Sequence, residues 1–125
     1  MAAGTLVSSG SSGSMPTGSG SERVCRASIH ALNNQAQTIL TGLAGHIYTI
    51  LSIVFCDQQG ATGTLNIKIN DGSNDIAILS GQTHGSEETF IWSDRIALEE
   101  NDYLEVYNTV TSGDWYVSYI DQNWV

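Results

Sequence analysis

The sequence predicts an all-β fold: an antiparallel β-sandwich of jelly-roll type, with about eight short strands and an extended N-terminal arm. Three observations predict it. Residues 47–56 are apolar at nearly every position and rich in β-branched and aromatic types, which reads as a strand covered on both faces. Residues 64–70 instead alternate, with Leu65, Ile67 and Ile69 separated by polar neighbours, so this strand is apolar on one face and is expected beside the first as its half-exposed partner. Turn-forming clusters then punctuate the rest of the chain at spacings of about 8–12 residues, with no secure helix between them.

Taken in order, residues 1–23 form a Gly/Ser-rich arm and residues 24–125 the sandwich domain. The arm holds no charge before Glu22 and few apolar groups. Alone it cannot bury enough surface to offset its ordering entropy, so it is read as a tail or linker unless a partner holds it. Thr5-Leu6-Val7 is its strand-forming cluster, and Met15-Pro16 interrupts its Gly/Ser runs. Residues 24–32 suit a strand with Cys25, Ala27, Ile29 and Ala31 on one side, and also a helix with Cys25, Ile29, Leu32, Ala36 and Leu40 on one stripe. Strand is preferred, because Asn33-Asn34-Gln35 punctuates the run and 37–41 is strand-like. After 47–56 and 64–70, Asp71-Gly72 makes a hairpin turn, since glycine accepts the positive φ required there. Further strands are expected at 75–79, 89–93, 95–98, 103–108 and 115–120. Residues 80–88 are expected as a long polar loop, and Leu104 and Val106 as inward-facing.

Composition narrows the function. Only 14% of residues are charged, and the net charge is −9. Beyond Arg26 there are twelve acidic residues against Lys68 and Arg95. Such a body repels phosphate backbones, so no nucleic-acid partner is expected. The apolar run at 47–56 is too short for a membrane helix, which needs about 20 residues, and no signal-peptide pattern opens the chain. A membrane partner is therefore not expected. Cys25 and Cys56 are too few for a disulfide framework; they are either buried thiols or one bridge.

Catalysis finds little footing. His30, His46 and His84 fall in separate segments without metal-ligand spacing, and no Gly-x-Ser-x-Gly elbow or phosphate-cradling Gly-rich loop occurs. No catalytic residue, metal or cofactor is assigned. Asp71, Ser73 and Asp75 alternate like calcium ligands, but the distal Glu of a calcium loop is missing and a plain turn is favoured. Glu87-Glu88 and Glu99-Glu100-Asn101-Asp102 read as solvated turns. Trp92 and Trp115 are expected in the core. Tyr107, Tyr116 and Trp124 are candidates for an interface or, if coplanar in a groove, a sugar platform.

An uncharged polar arm leads into a short-stranded body that carries Ile47-Tyr48-Thr49-Ile50, Leu65-Asn66-Ile67-Lys68-Ile69, the stretch from Glu99 through Val106, and Trp115-Tyr116-Val117-Ser118-Tyr119-Ile120. In this arrangement the chain resembles the small virion structural proteins of tailed bacteriophages. The resemblance covers most of residues 24–120 and is one of pattern, without a residue-level motif. It implies a non-enzymatic, homotrimeric β-sandwich of the virion, assembled in the host cytoplasm. Its role would be capsid decoration (cement), with the arm crossing the major capsid protein lattice; from the arm's own sequence, Thr5, Leu6, Val7, Met15 and Pro16 are the residues expected to contact partner subunits. A neck or tail protein of the same particles, or a carbohydrate-binding sandwich contacting the host surface, are the alternatives.

Overall fold

The computed structural model describes residues 21–32, 34–57, 60, 62–110 and 112–124. They form nine strands: β1 (Ser21–Leu32), β2 (Gln37–Thr41), β3 (His46–Asp57), β4 (Gly63–Asn70), β5 (Asp75–His84), β6 (Thr89–Trp92), β7 (Ile96–Leu98), β8 (Tyr103–Asn108) and β9 (Ser112–Asn123). Two antiparallel sheets face each other, as expected. Sheet A has the order β1-β9-β3-β6, with β7 also on β3; sheet B has the order β2-β8-β4-β5.

The core lies between the two inner faces. Tyr48, Ile50, Ile53 and Phe55 of β3 meet Leu65, Ile67 and Ile69 of β4, together with Leu104 and Val106 of β8 and Trp115 and Val117 of β9. The strict alternation of β4 and β8 places every second residue in this layer. Trp115 is fully buried, and Trp92 packs against the same cluster.

Several expectations change. β3 and β4 are not neighbours, because β3 lies in sheet A and β4 in sheet B. All but two of the connections, β4–β5 and β6–β7, cross between sheets. Two adjacent apolar runs can both reach the core that way, since each faces it from its own side. β3 is covered on one face alone by the described residues; Ile47, Leu51 and Val54 are only half-buried. Part of the predicted polar loop is strand. β5 continues to His84 because register shifts around Ile67, and Gly81 at φ 67 with its N–H on Asn66 Oδ1, let the ladder resume at Gly63–Leu65. β1 begins at Ser21 rather than after residue 23, since β9 runs long enough to pair it from Asn123 to Ser112. The Asp71-Gly72 turn holds, with Gly72 at φ 96.

Candidate functional site

One end of the inner face of sheet A is polar. β1 contributes Arg23 and Cys25, β9 Tyr119 and Asp121, and β3 His46 and Tyr48. The registers Arg23↔Asp121↔Tyr48 and Cys25↔Tyr119↔Ile50 bring them together. Asp121 is the centre. Its side chain is 7% exposed, with Oδ1 2.7 Å from His46 Nδ1 and Oδ2 3.6 Å from Arg23 Nη2. A carboxylate can only accept, so the His46 proton sits on Nδ1 and the ring is held in one orientation. The rings of Tyr48 and Tyr119 pack 5.0 Å apart beneath this pair, and His46 meets Tyr48 edge-on at 6.2 Å.

Burial sets the ionisation here. It pushes the Tyr119 phenol up to about 12, helped by the nearby Cys25, Tyr48 and Asp121 and opposed by Arg23. Tyr48 is raised by burial and then by Asp121. Burial also raises the Cys25 thiol, against the pull of Arg23. In the unfolded chain a tyrosine ionises near 10, so the two phenols favour folding below about pH 10, and that contribution is lost as pH rises through the folded values. Stability should therefore fall between about pH 10 and 12, and less steeply in Tyr119→Phe. Denaturant midpoints across this range, with absorbance at 295 nm to follow phenolate, check it; equal slopes in both proteins would refute the assignment.

Beside this cluster lies an open groove of about 720 Å³. It is lined by Gly45, His46 and Ile47, by Asp71, by the β7–β8 turn from Glu99 to Asp102, and by Trp124. The turn is tied down by Asp102 Oδ2, which accepts the Glu99 N–H at 2.9 Å, and the Gly42 N–H reaches the Asp102 carbonyl at 2.7 Å. His46 thus presents an oriented imidazole at the edge of a carboxylate-lined groove. Among the described residues, no serine, threonine or cysteine side chain hydrogen-bonds it.

The two outer faces differ in chemistry. On sheet B, Lys68 pairs with Asp75 at 3.2 Å and Glu105 at 3.5 Å, Asn70 donates to Asp75, and Tyr107 donates to Asn34. On sheet A, the register lays two largely apolar rows across the strands, Val24–Ile120–Thr49–Ala97 and Ser28–Tyr116–Val54–Ile91, with the polar row Arg26–Ser118–Ser52 between them. Val24 is 73% exposed, Ile91 62% and Tyr116 39%.

The sequence-derived candidates are scattered. Tyr107 lies on the outer face of sheet B, Tyr116 on that of sheet A, and Trp124 at the groove, so the three form no common platform. Thr5, Leu6, Val7, Met15 and Pro16 lie outside the described residues. Asp71 Oδ1 accepts the Ser73 and Asn74 N–H groups, and Asp75 is taken by Asn70 and Lys68, as in a plain turn. Both carboxyls are held below the usual range by those bonds. No cluster of three or more metal-ligating side chains occurs among the described residues. Cys25 points inward and Cys56 outward, and their places on the sheet are roughly 17 Å apart along the strands, beyond the roughly 7 Å Cα limit of a disulfide. The intrachain bridge is excluded. What sequence reading missed is the His46–Asp121 pair, and likewise His30 Nδ1 with Asp114 Oδ1 at 2.7 Å. Both partners lie 75 or more positions away, and only the β9 register joins them.

No family model matches the chain, and no curated protein matches it. Among solved structures, it is similar to Eiger TNF from S. frugiperda at 9% identity and TM-score 0.44, over 83% of this chain and 93% of that one. It is also similar to a protein from work describing Bacillus endospore appendages as "a novel family of disulfide-linked pili". There the identity is 15% and the TM-score 0.47, over 97% of this chain and 99% of the other.

Proposed function

We propose that this protein is a non-enzymatic structural subunit that fastens to a larger assembly through residues 1–20, and that the assembly is a tailed-phage virion with the protein as capsid decoration. The observation that carries this reading is β1. It is the edge strand of sheet A, pairs with β9 over twelve residues without a register shift, and continues directly from the Gly/Ser-rich segment. In this reading β1 anchors the segment at the sheet edge and the segment lies along a neighbour. Twenty residues, fully extended, span about 70 Å, enough to cross another subunit. Ordering them costs of order 1–2 kcal/mol per residue, offset by main-chain hydrogen bonds, burial of Leu6 and Val7, and avidity on a repeating lattice. The partners in this reading are copies of the chain, as a homotrimer, and the major capsid protein; a neck or tail position follows from the same physics.

Deleting residues 1–20 tests it. The truncated chain should keep its far-UV β signal and melting temperature, yet fail to co-sediment with particles. Normal co-sedimentation would place the anchor elsewhere. One observation favours the carbohydrate reading instead: Trp124, 56% exposed, lines the groove beside carboxylates that suit sugar hydroxyls. Binding on a glycan array that Trp124→Ala abolishes would replace the structural role with that one.

A further inference from the structure

We propose that the outer face of sheet A is an interface between copies of this chain, which gives the self-assembly above a surface of its own, separate from the arm. The first ground is chemical. A sandwich strand with one wet face alternates apolar and polar residues, as β4 and β8 do. β3 alternates less: its outward side sets Ile47 and Val54 beside Thr49 and Ser52, and Ile120, Tyr116, Val24 and Ile91 add apolar groups on the neighbouring strands. Sheet B, in the same molecule, sets ion pairs and amides at the equivalent positions beside Tyr103 and Tyr107. Exposed hydrophobes scattered singly need no partner; here two groups, Val24–Ile120 with Ala97 and Tyr116–Val54–Ile91, flank the polar row Arg26–Ser118–Ser52, the mixed make-up of a protein–protein interface.

Size and charge point to a second copy as the occupant. Three strands of 12 residues, with the 4 of β6 and the 3 of β7, make a face of roughly 680 Å² at about 4.8 Å between strands and about 3.3 Å per residue, not far below the ~800 Å² that each partner contributes to a standard stable interface. Glu22 and Asp114 against Arg26 leave this face a single net negative charge of the chain's −9. Like-charged bodies can therefore meet here while their acidic turns stay in water. Arg26 makes no ion pair among the described residues, and Glu22, which accepts from Gln122, and Asp114, which pairs with His30, stand on the same face. Each copy thus offers its neighbour both a cation and anions to answer it, where an acidic partner of another kind would meet only Arg26.

The test uses the full-length chain. Val24→Lys and Ile91→Lys fall on side chains that already face solvent, so each single variant should fold with an unchanged far-UV spectrum. Wild type should sediment above its 13.4 kDa monomer mass. The double variant should weaken self-association by at least about 100-fold, since each lysine would replace apolar contact with a charge that must be desolvated. Cys56, outward on β3, gives a second readout: its maleimide labelling should be slow in wild type and fast in the double variant. Wild type that is monomeric at every concentration overturns the proposal, as does a double variant with undiminished association. A monomer in which Cys56 becomes reactive only after deletion of residues 1–20 would instead show that the arm covers the face. Neither of those results bears on whether the arm binds particles, which co-sedimentation decides separately.

Discussion

Trp115→Ala should cost about 3–5 kcal/mol of folding stability, a large share of the roughly 5–15 kcal/mol available to a domain. Trp115 is fully buried on β9, its ring 4.8 Å from that of Phe55. The indole N–H donates to Asn108 Oδ1 at 3.1 Å, and Asn108, also fully buried, donates through Nδ2 to the Val110 carbonyl at 2.9 Å. Alanine therefore opens a cavity between the sheets and strands an amide oxygen. Trp115→Phe separates the two effects: it keeps most of the apolar contact and loses only the hydrogen bond, for about 1–3 kcal/mol. Urea titrations of the three proteins at constant m-value measure both losses. If alanine cost no more than phenylalanine, packing would contribute nothing here and the described core would be wrong.

Gly42→Ala should be nearly as damaging, about 3 kcal/mol or more, for a steric reason. A Cβ at Gly42 would fall on the carbonyl oxygen of Glu99, with the Glu99 carbonyl carbon at 2.8 Å and the Asp102 oxygen at 3.2 Å. All three atoms are backbone, so no side-chain rotation relieves the clash and the β7–β8 turn must move. The Gly42 hydrogen bond to Asp102 would move with it, and the lining of the groove changes. Gly81→Ala is the control. That glycine has φ 67 but no atom within 4 Å of the added carbon, so only the left-handed strain of about 1–2 kcal/mol applies. Melting temperatures of the two variants rank the effects; a milder Gly42→Ala would mean the turn is not pinned as described.

Much of this fold was legible in the chain. The alternation of Leu65, Ile67 and Ile69, and of Leu104 and Val106, fixes which side chains face inward, because a pleated strand has period two whatever it pairs with. Asp71-Gly72 fixes one hairpin, because its conformational demand is local. Long-range pairing was not legible. Nothing near Ile47 says that β3 lies in the sheet opposite β4, since an apolar run is equally content beside any covered neighbour. The bulges around Ile67 and the asparagine contact to Gly81 carry β5 through residues that read as loop. His46 carries no sign that Asp121 will sit beside it.

By itself, then, the sequence determined an all-β body of two layers, its inward-facing residues, its acidic surface and a leading segment of different composition. Those properties follow from side-chain period, hydropathy and charge, which are local or additive. The tertiary structure alone decided that Asp121 gathers Arg23 and His46 around a buried carboxylate, that Cys25 and Cys56 point to opposite sides, and that the apolar surplus of β3 joins Val24, Tyr116 and Ile91 in one face. Each of these depends on strand order and register between distant segments, set by how two sheets fill one core together rather than by any stretch of chain.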